Sequence, residues 1–135
     1  MIEKIHPDIE NEYNEIVGLE YFVVVKRLVE LTCEIKNETD ALKSSMTKWA
    51  VVCNHKRHFD YDDLIHLMIS SETCGLCMFF DDCSGCCEYT GMEFDDRVKC
   101  FEAFGNAFVY RHTGEKNNTV YYAMEKVYNE KYGSE

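Results

Sequence analysis

Cys74-Gly75-Leu76-Cys77-Met78-Phe79-Phe80-Asp81-Asp82-Cys83-Ser84-Gly85-Cys86-Cys87 is the stretch on which the fold turns. It holds two Cys-x-x-Cys pairs separated by five residues, and Cys100 follows. Such a pair lets two sulfurs converge on one ion at about 2.3 Å, with a tight turn between them that Gly75 or Gly85 takes at low steric cost. Two pairs complete a tetrahedron. The expected cofactor is therefore Zn2+, held by four of the five residues Cys74, Cys77, Cys83, Cys86 and Cys100. Spacing does not choose among them, and Cys100 in place of Cys83 or Cys86 would tie the next helix to the loop. Cys87 is set aside, because its neighbour Cys86 already points into the site.

Other chemistries compete for these thiols. Isolated cysteines often serve as small buried apolar residues, but a core does not need six of them in the otherwise acidic 27 residues from Cys74 to Cys100. A disulfide framework belongs to an oxidising compartment. The amino terminus MIEKIHPDIENEY carries acids where an export signal has a basic and then an apolar region, so the cytosol is the expected location. An iron-sulfur cluster also takes four thiolates, usually from tighter, repeated spacings. The CGLC pair alone suits a redox motif of the thioredoxin kind, which stands at the start of a helix after a strand. Neither neighbour is legible in the sequence.

Outward from the cluster, the pattern is helical. A length of 135 residues fits one domain, since a single core needs roughly 100 to 150 residues. Only one proline, Pro7, interrupts the chain, and there is no repeat or low-complexity run. From Asp8 to about Asn37, apolar residues at Ile16, Leu19, Phe22, Val25, Leu28, Val29 and Leu31 recur at three and four, which predicts a long helix broken near Gly18. The β-branched run Tyr21 to Val25 allows a strand instead. Asp40 can cap a second helix through Cys53, with Leu42, Met46, Trp49 and Val52 or Cys53 on its inner side. A short helix from Asp60 or Asp62 carries Leu64, Ile65, Leu67, Met68 and Ile69. No period survives from Thr73 to Asp96, which reads as a ligand-built loop. Helices over 98–111 and 118–132 follow, the last ended by Gly133. The fold class expected is mainly α: a small single domain over 1–135, with a helical part at 1–72, an irregular Cys-rich zinc-binding loop at 73–100 and C-terminal helices at 101–135.

Charge points to a partner. The net formal charge is -11. Residues 1–40 carry ten acids and four bases, and residues 74–96 carry six acids and no base, so these two segments hold the whole excess. Four thiolates around a divalent ion add a further -2. Such a surface repels phosphate backbones and attracts basic proteins, which disfavours direct nucleic-acid binding. The longest apolar run, Tyr21 to Val25, is too short for a bilayer, so no membrane segment is expected. The acids expected on the partner-binding face are Glu10, Glu12, Glu15, Asp81, Asp82, Glu93, Asp95 and Asp96.

Catalytic constellations are not legible. Asp81 and Asp82 beside the cluster could act on a metal-bound water, but an all-cysteine site is closed to water. Asp62-Asp63 and Asp95-Asp96 solvate helix starts more readily than they catalyse. The expectation is therefore no enzyme. Cys53, His55 and His58 form a candidate second zinc site, with a polar loop bearing two solvated histidines as the plainer reading. His66 falls within a helix, and His112 suits a helix end. Tyr121, Tyr122, Tyr128 and Tyr132 line the last helix as a core edge or as a homodimer surface.

The cluster, over about residues 64–112, resembles small cysteine-cluster proteins of tailed bacteriophages. These pair Cys-x-Leu-Cys with a downstream Cys-x-Gly-Cys-Pro and a later cysteine, matched here by Cys74, Leu76, Cys77, Cys83, Gly85, Cys86 and Cys100. Cys87 stands where that pattern has proline, which leaves the turn after Cys86 less constrained. The resemblance implies phage origin and a metal. In type, though by no shared motif, the chain is also similar to the small, acidic, non-enzymatic anti-CRISPR inhibitors of Cas9, whose basic guide and target channels an acidic surface can cover. Two other functions stay open at this point: a zinc-ribbon accessory module in phage nucleic-acid metabolism, and a thiol redox protein using CGLC.

Overall fold

Residues 2–57, 60, 62, 63, 66, 67, 71–80 and 119–132 are described by a computed structural model of the chain. Among them 72% are helical and no strand occurs, so the chain is mainly α, as its periodicity predicts. The predicted helix over 98–111 lies outside the described residues.

The long helix expected from Asp8 is two helices. Helix α1 spans Glu10–Ile16 and α2 spans Tyr21–Cys33. The break falls at Gly18, where the Leu19 N–H turns back to the Ile16 carbonyl at 3.0 Å. Tyr21 to Val25 is helical, not extended, because Val24 and Leu28 repeat at four and are both fully buried. The break also resets the helical phase. Phe22, expected on the inner face, is 79% exposed, and Val24 takes the inner position in its place.

Helix α3, Glu38–Asn54, is the centre of the molecule. It starts one turn of sequence earlier than a cap at Asp40 implies. Asn37 is the N-cap, its Oδ1 accepting from the Asp40 N–H at 2.8 Å. Asp40 returns the favour through Oδ2, which accepts from the Lys36 N–H at 3.2 Å, so two exposed donors at the helix start are satisfied reciprocally. Ala41, Leu42 and every residue from Ser44 to Asn54 are buried. The expected one-sided core of Leu42, Met46, Trp49 and Val52 or Cys53 is therefore the smaller part of what α3 buries. The helix is enclosed by α1, α2, a short helix α4 at Gly75–Phe80, and α5 at Thr119–Lys131.

Enclosing a helix that carries polar residues requires partners for them. Asn54, at the end of α3, accepts from the Ile2 N–H at 2.8 Å and donates Nδ2 to the Ile2 carbonyl at 2.8 Å and to the Tyr13 hydroxyl at 3.1 Å. Thr47 donates to the Lys43 carbonyl one turn back at 2.8 Å. The chain before α1 is held from the other side by α5. Tyr121 accepts from the His6 N–H at 2.9 Å and donates to Glu125 at 3.0 Å, while Tyr128 donates to Asp8 at 2.6 Å. His6 Nδ1 accepts from the Asp8 N–H at 3.0 Å, which leaves Nε2 as the protonated nitrogen donating to Asn129 at 2.9 Å. The amino-terminal segment thus bridges α3 and α5, whose sequences are more than 60 residues apart.

Residues 62, 63, 66 and 67 are helical, in agreement with the short helix expected there, and Leu67 is buried. No helix among the described residues is long and apolar enough to cross a membrane.

Candidate metal centre

The stretch from Thr73 to Asp96 is not irregular throughout. A 3-10 turn at Ser71–Thr73 leads directly into α4, and Cys74 stands between them with its carbonyl accepting from the Met78 N–H at 3.0 Å. The approach is clamped. Thr32 of α2 shares its hydroxyl between the Val29 carbonyl at 2.7 Å and the Glu72 carbonyl at 3.0 Å, and the buried Thr73 reaches the Leu67 carbonyl at 3.5 Å.

Gly75 is used for closeness rather than for the turn that spacing suggested. A Cβ on Gly75 would collide with the Ala41 carbonyl oxygen and lie 2.7 Å from Ser44 Cβ and 2.9 Å from Ser44 Oγ. Its absence lets the start of α4 lie directly on α3. That contact seats Cys74 in the core at 2% exposure, with Sγ 3.4 Å from Ser45 Oγ. A thiol at this distance can donate to the hydroxyl; a metal-bound thiolate instead accepts from it, as the outer partners of metal ligands commonly arrange. Ser44 Oγ, against Gly75, is buried with no hydrogen-bond partner among the described residues.

Cys77 follows in the first turn of α4. The backbone between the two cysteines is thus the start of a helix and not the loop expected. The Cys77 side chain and the whole of Cys83, Cys86, Cys87 and Cys100 lie outside the described residues. So do Asp81, Asp82, Glu93, Asp95 and Asp96 of the expected partner face. Among the described residues no three His, Cys, Asp or Glu side chains stand together as a metal site. Cys74 is thus the one candidate ligand whose surroundings are on view.

The second candidate site is not assembled by its described members. Cys53 is buried in α3, and His55 Nδ1 is within 2.8 Å of the Arg57 carbonyl; His58 lies outside the described residues. His66 is exposed, its Nδ1 donating to the Asp62 carbonyl at 2.7 Å. The acids of α1 are where a partner could reach them. Glu10, Glu12 and Glu15 are all exposed, with Glu15 bound to Arg27 of α2 at 2.8 Å.

The tyrosines divide. Tyr121 and Tyr128 are buried and hold the amino-terminal segment, whereas Tyr122 and Tyr132 are 42% and 36% exposed. Burial, reinforced by Asp8, pushes the Tyr128 hydroxyl up to about 12. Burial acts in the same direction on Tyr121, with Glu125 adding to it. Burial also raises Tyr21, and Asp63 raises it further.

The chain matches no known family, no curated protein and no solved structure.

Ser45 has a place at this site and was not singled out from the sequence; it is buried on α3 against Cys74, and Lys48, further along the helix, is buried too. In the sequence they sit in the polar run Lys43-Ser44-Ser45, then Thr47-Lys48, which reads as a solvated side until a covering helix is known.

Proposed function

We propose that the chain is a zinc-stabilised acidic interaction protein of the bacterial cytosol, and that its partner is a basic host protein. The observation that carries this reading is the seating of Cys74. The first cysteine of the cluster is built into the core against Ser45, which suits an architectural ligand and leaves the chemistry of the molecule to its surface. That surface belongs to a chain of charge -11, with Glu10 and Glu12 presented on α1. A basic partner is what such a field attracts at long range.

In its sharpest form the partner is Cas9, and the protein is a phage anti-CRISPR that covers a basic guide or target channel. The test is co-purification with Cas9 and protection of phage from CRISPR immunity. Binding that weakens as salt rises and that falls on charge reversal at Glu10 and Glu12 supports the proposal; no binding and no protection ends it. A homodimer through α5 would bring Tyr122 and Tyr132 together, which light scattering on the purified chain decides.

A second reading has one observation on its side. CGLC does stand at the start of a helix, the position a redox pair takes. Against it, an attacking thiolate has to be accessible, and Cys74 is 2% exposed. Thiol-oxidoreductase activity that disappears in Cys74→Ser would favour this reading over the structural one.

A further inference from the structure

The segment before α1 and helix α5 frame a cleft of about 360 Å³, walled on one side by residues from Lys4 to Pro7 and on the other by Tyr122, Glu125 and Asn129. The three α5 residues are spaced at three and four, so they line one face of the helix. A volume near the lower end of the range of small-molecule sites suits a compact ligand.

Two of these α5 side chains are held in place from behind. Tyr121 donates to Glu125 Oε2 at 3.0 Å, while its own oxygen accepts from the His6 N–H at 2.9 Å. Asn129 Oδ1 accepts from His6 Nε2 at 2.9 Å. These bonds use one carboxylate oxygen and the amide oxygen. They leave Glu125 Oε1 as an acceptor and Asn129 Nδ2 as a donor, neither with a hydrogen bond among the described residues. Lys4 makes no ion pair among the described residues, and the Tyr122 ring, set edge-on to Tyr121 at 5.6 Å, is 42% exposed.

The cleft therefore offers a cation, Lys4, and a neutral donor, Asn129, to an anionic group. It offers the Glu125 carboxylate to a cationic group, and the Tyr122 ring with Ile5 and Pro7 to an apolar body. A simple anion is repelled by a chain of charge -11, and a simple cation meets Lys4 here and acids at many other places on the surface. A zwitterion has neither difficulty. Its charges cancel at a distance and are matched one by one inside the cleft.

We infer that this cleft is a binding site for a zwitterionic α-amino acid, with its carboxylate on Lys4 and Asn129, its ammonium on Glu125 and an apolar side chain on Tyr122. The inference uses no cysteine and stands apart from the zinc and partner readings.

The test is titration of L-phenylalanine into the full chain, followed by backbone amide shifts in NMR. A ligand of this size should bind at about millimolar strength. Saturable shifts are expected from Lys4 to Pro7 and from Tyr122 to Asn129. Removing either charge from the probe, as phenethylamine or as N-acetyl-L-phenylalanine, should weaken binding about tenfold or more, the usual cost of a lost charged hydrogen bond. Two variants assign the charges. Lys4→Met should weaken L-phenylalanine and leave phenethylamine unchanged, whereas Glu125→Gln, which keeps an oxygen for Tyr121, should weaken L-phenylalanine and leave N-acetyl-L-phenylalanine unchanged. Equal binding of the three probes would reveal only a ring on an apolar surface and overturn the inference. The absence of saturable shifts at these residues from every one of the common amino acids would overturn it too.

Discussion

Replacing Gly75 by alanine tests the packing that seats the cysteine cluster. The added Cβ meets the Ala41 carbonyl, part of the central helix and unable to yield, together with Ser44 Cβ at 2.7 Å and Oγ at 2.9 Å. Overpacking of this kind costs about 3 kcal/mol at the upper end of its range, because relief requires α4 to move as a body away from α3. Alanine returns at most about 1 kcal/mol in helix propensity at a first-turn position. The net loss is about 2 kcal/mol. With unfolding entropy near 2.1 cal/mol/K per residue over 135 residues, each kcal/mol shifts the melting temperature by about 3.5 °C, so Gly75→Ala should melt ~7 °C below the native chain. Gly18→Ala is the matched control. Nothing lies within 4 Å of a Cβ there, and its backbone is outside the left-handed region, so alanine should be neutral or stabilise by up to about 1 kcal/mol through the unfolded chain. Calorimetry on the two variants checks both. A Gly75→Ala melting temperature within about 2 °C of native would refute the close α3–α4 contact and with it the seating of Cys74.

Three further outcomes follow from named contacts. Asn54→Ala strands both backbone groups of Ile2 and should cost about 2 kcal/mol, with faster amide hydrogen exchange confined to the segment before α1; unchanged exchange there would contradict the bridge between α3 and α5. The Tyr128 hydroxyl sits above its ordinary value of 10, at about 12, so the stability it contributes is fully present below pH 10 and is lost as pH rises through about 12. Denaturant midpoints should fall across that window and fall less in Tyr128→Phe, which has no hydroxyl to ionise. Among the cysteines, Cys33 is exposed on α2 and belongs to neither Cys-x-x-Cys pair, so Cys33→Ser should keep native metal content, whereas Cys74→Ser should lose most of it. Equal metal content in the two variants would remove Cys74 from the ligand set.

How much of this was legible in the sequence depends on what each residue reports. The helices α2 and α3 and the break at Gly18 could be read because apolar spacing and a glycine are local signals. The phase of α2 could not, since continuing the count from Ile16 through the break puts Phe22 inward, and the turn at Gly18 shifts it out. Nor could the enclosure of α3. Ser44, Ser45, Thr47 and Lys48 look like a solvent face until the elements around α3 are known, α4 lying on Ser44 and Ser45, and what lets α4 approach is the hydrogen at Gly75, whose role depends on Ala41 more than 30 residues away. The same holds for the tyrosines of α5: their spacing shows a stripe, but only the positions of His6 and Asp8 separate the two that bind the amino-terminal segment from the two that face outward. Of the candidate site, the cysteine spacing was legible and Cys74's place in the core was not.

The central claim is that a zinc ion on the cysteine cluster holds this fold together. Elemental analysis of the purified chain, with thermal melting before and after a strong chelator, tests it most directly. One zinc per chain and a large fall in melting temperature on chelation are the predicted result. No metal, iron with visible absorbance, or a melting temperature indifferent to chelation would contradict it and bring thiol redox chemistry at CGLC forward.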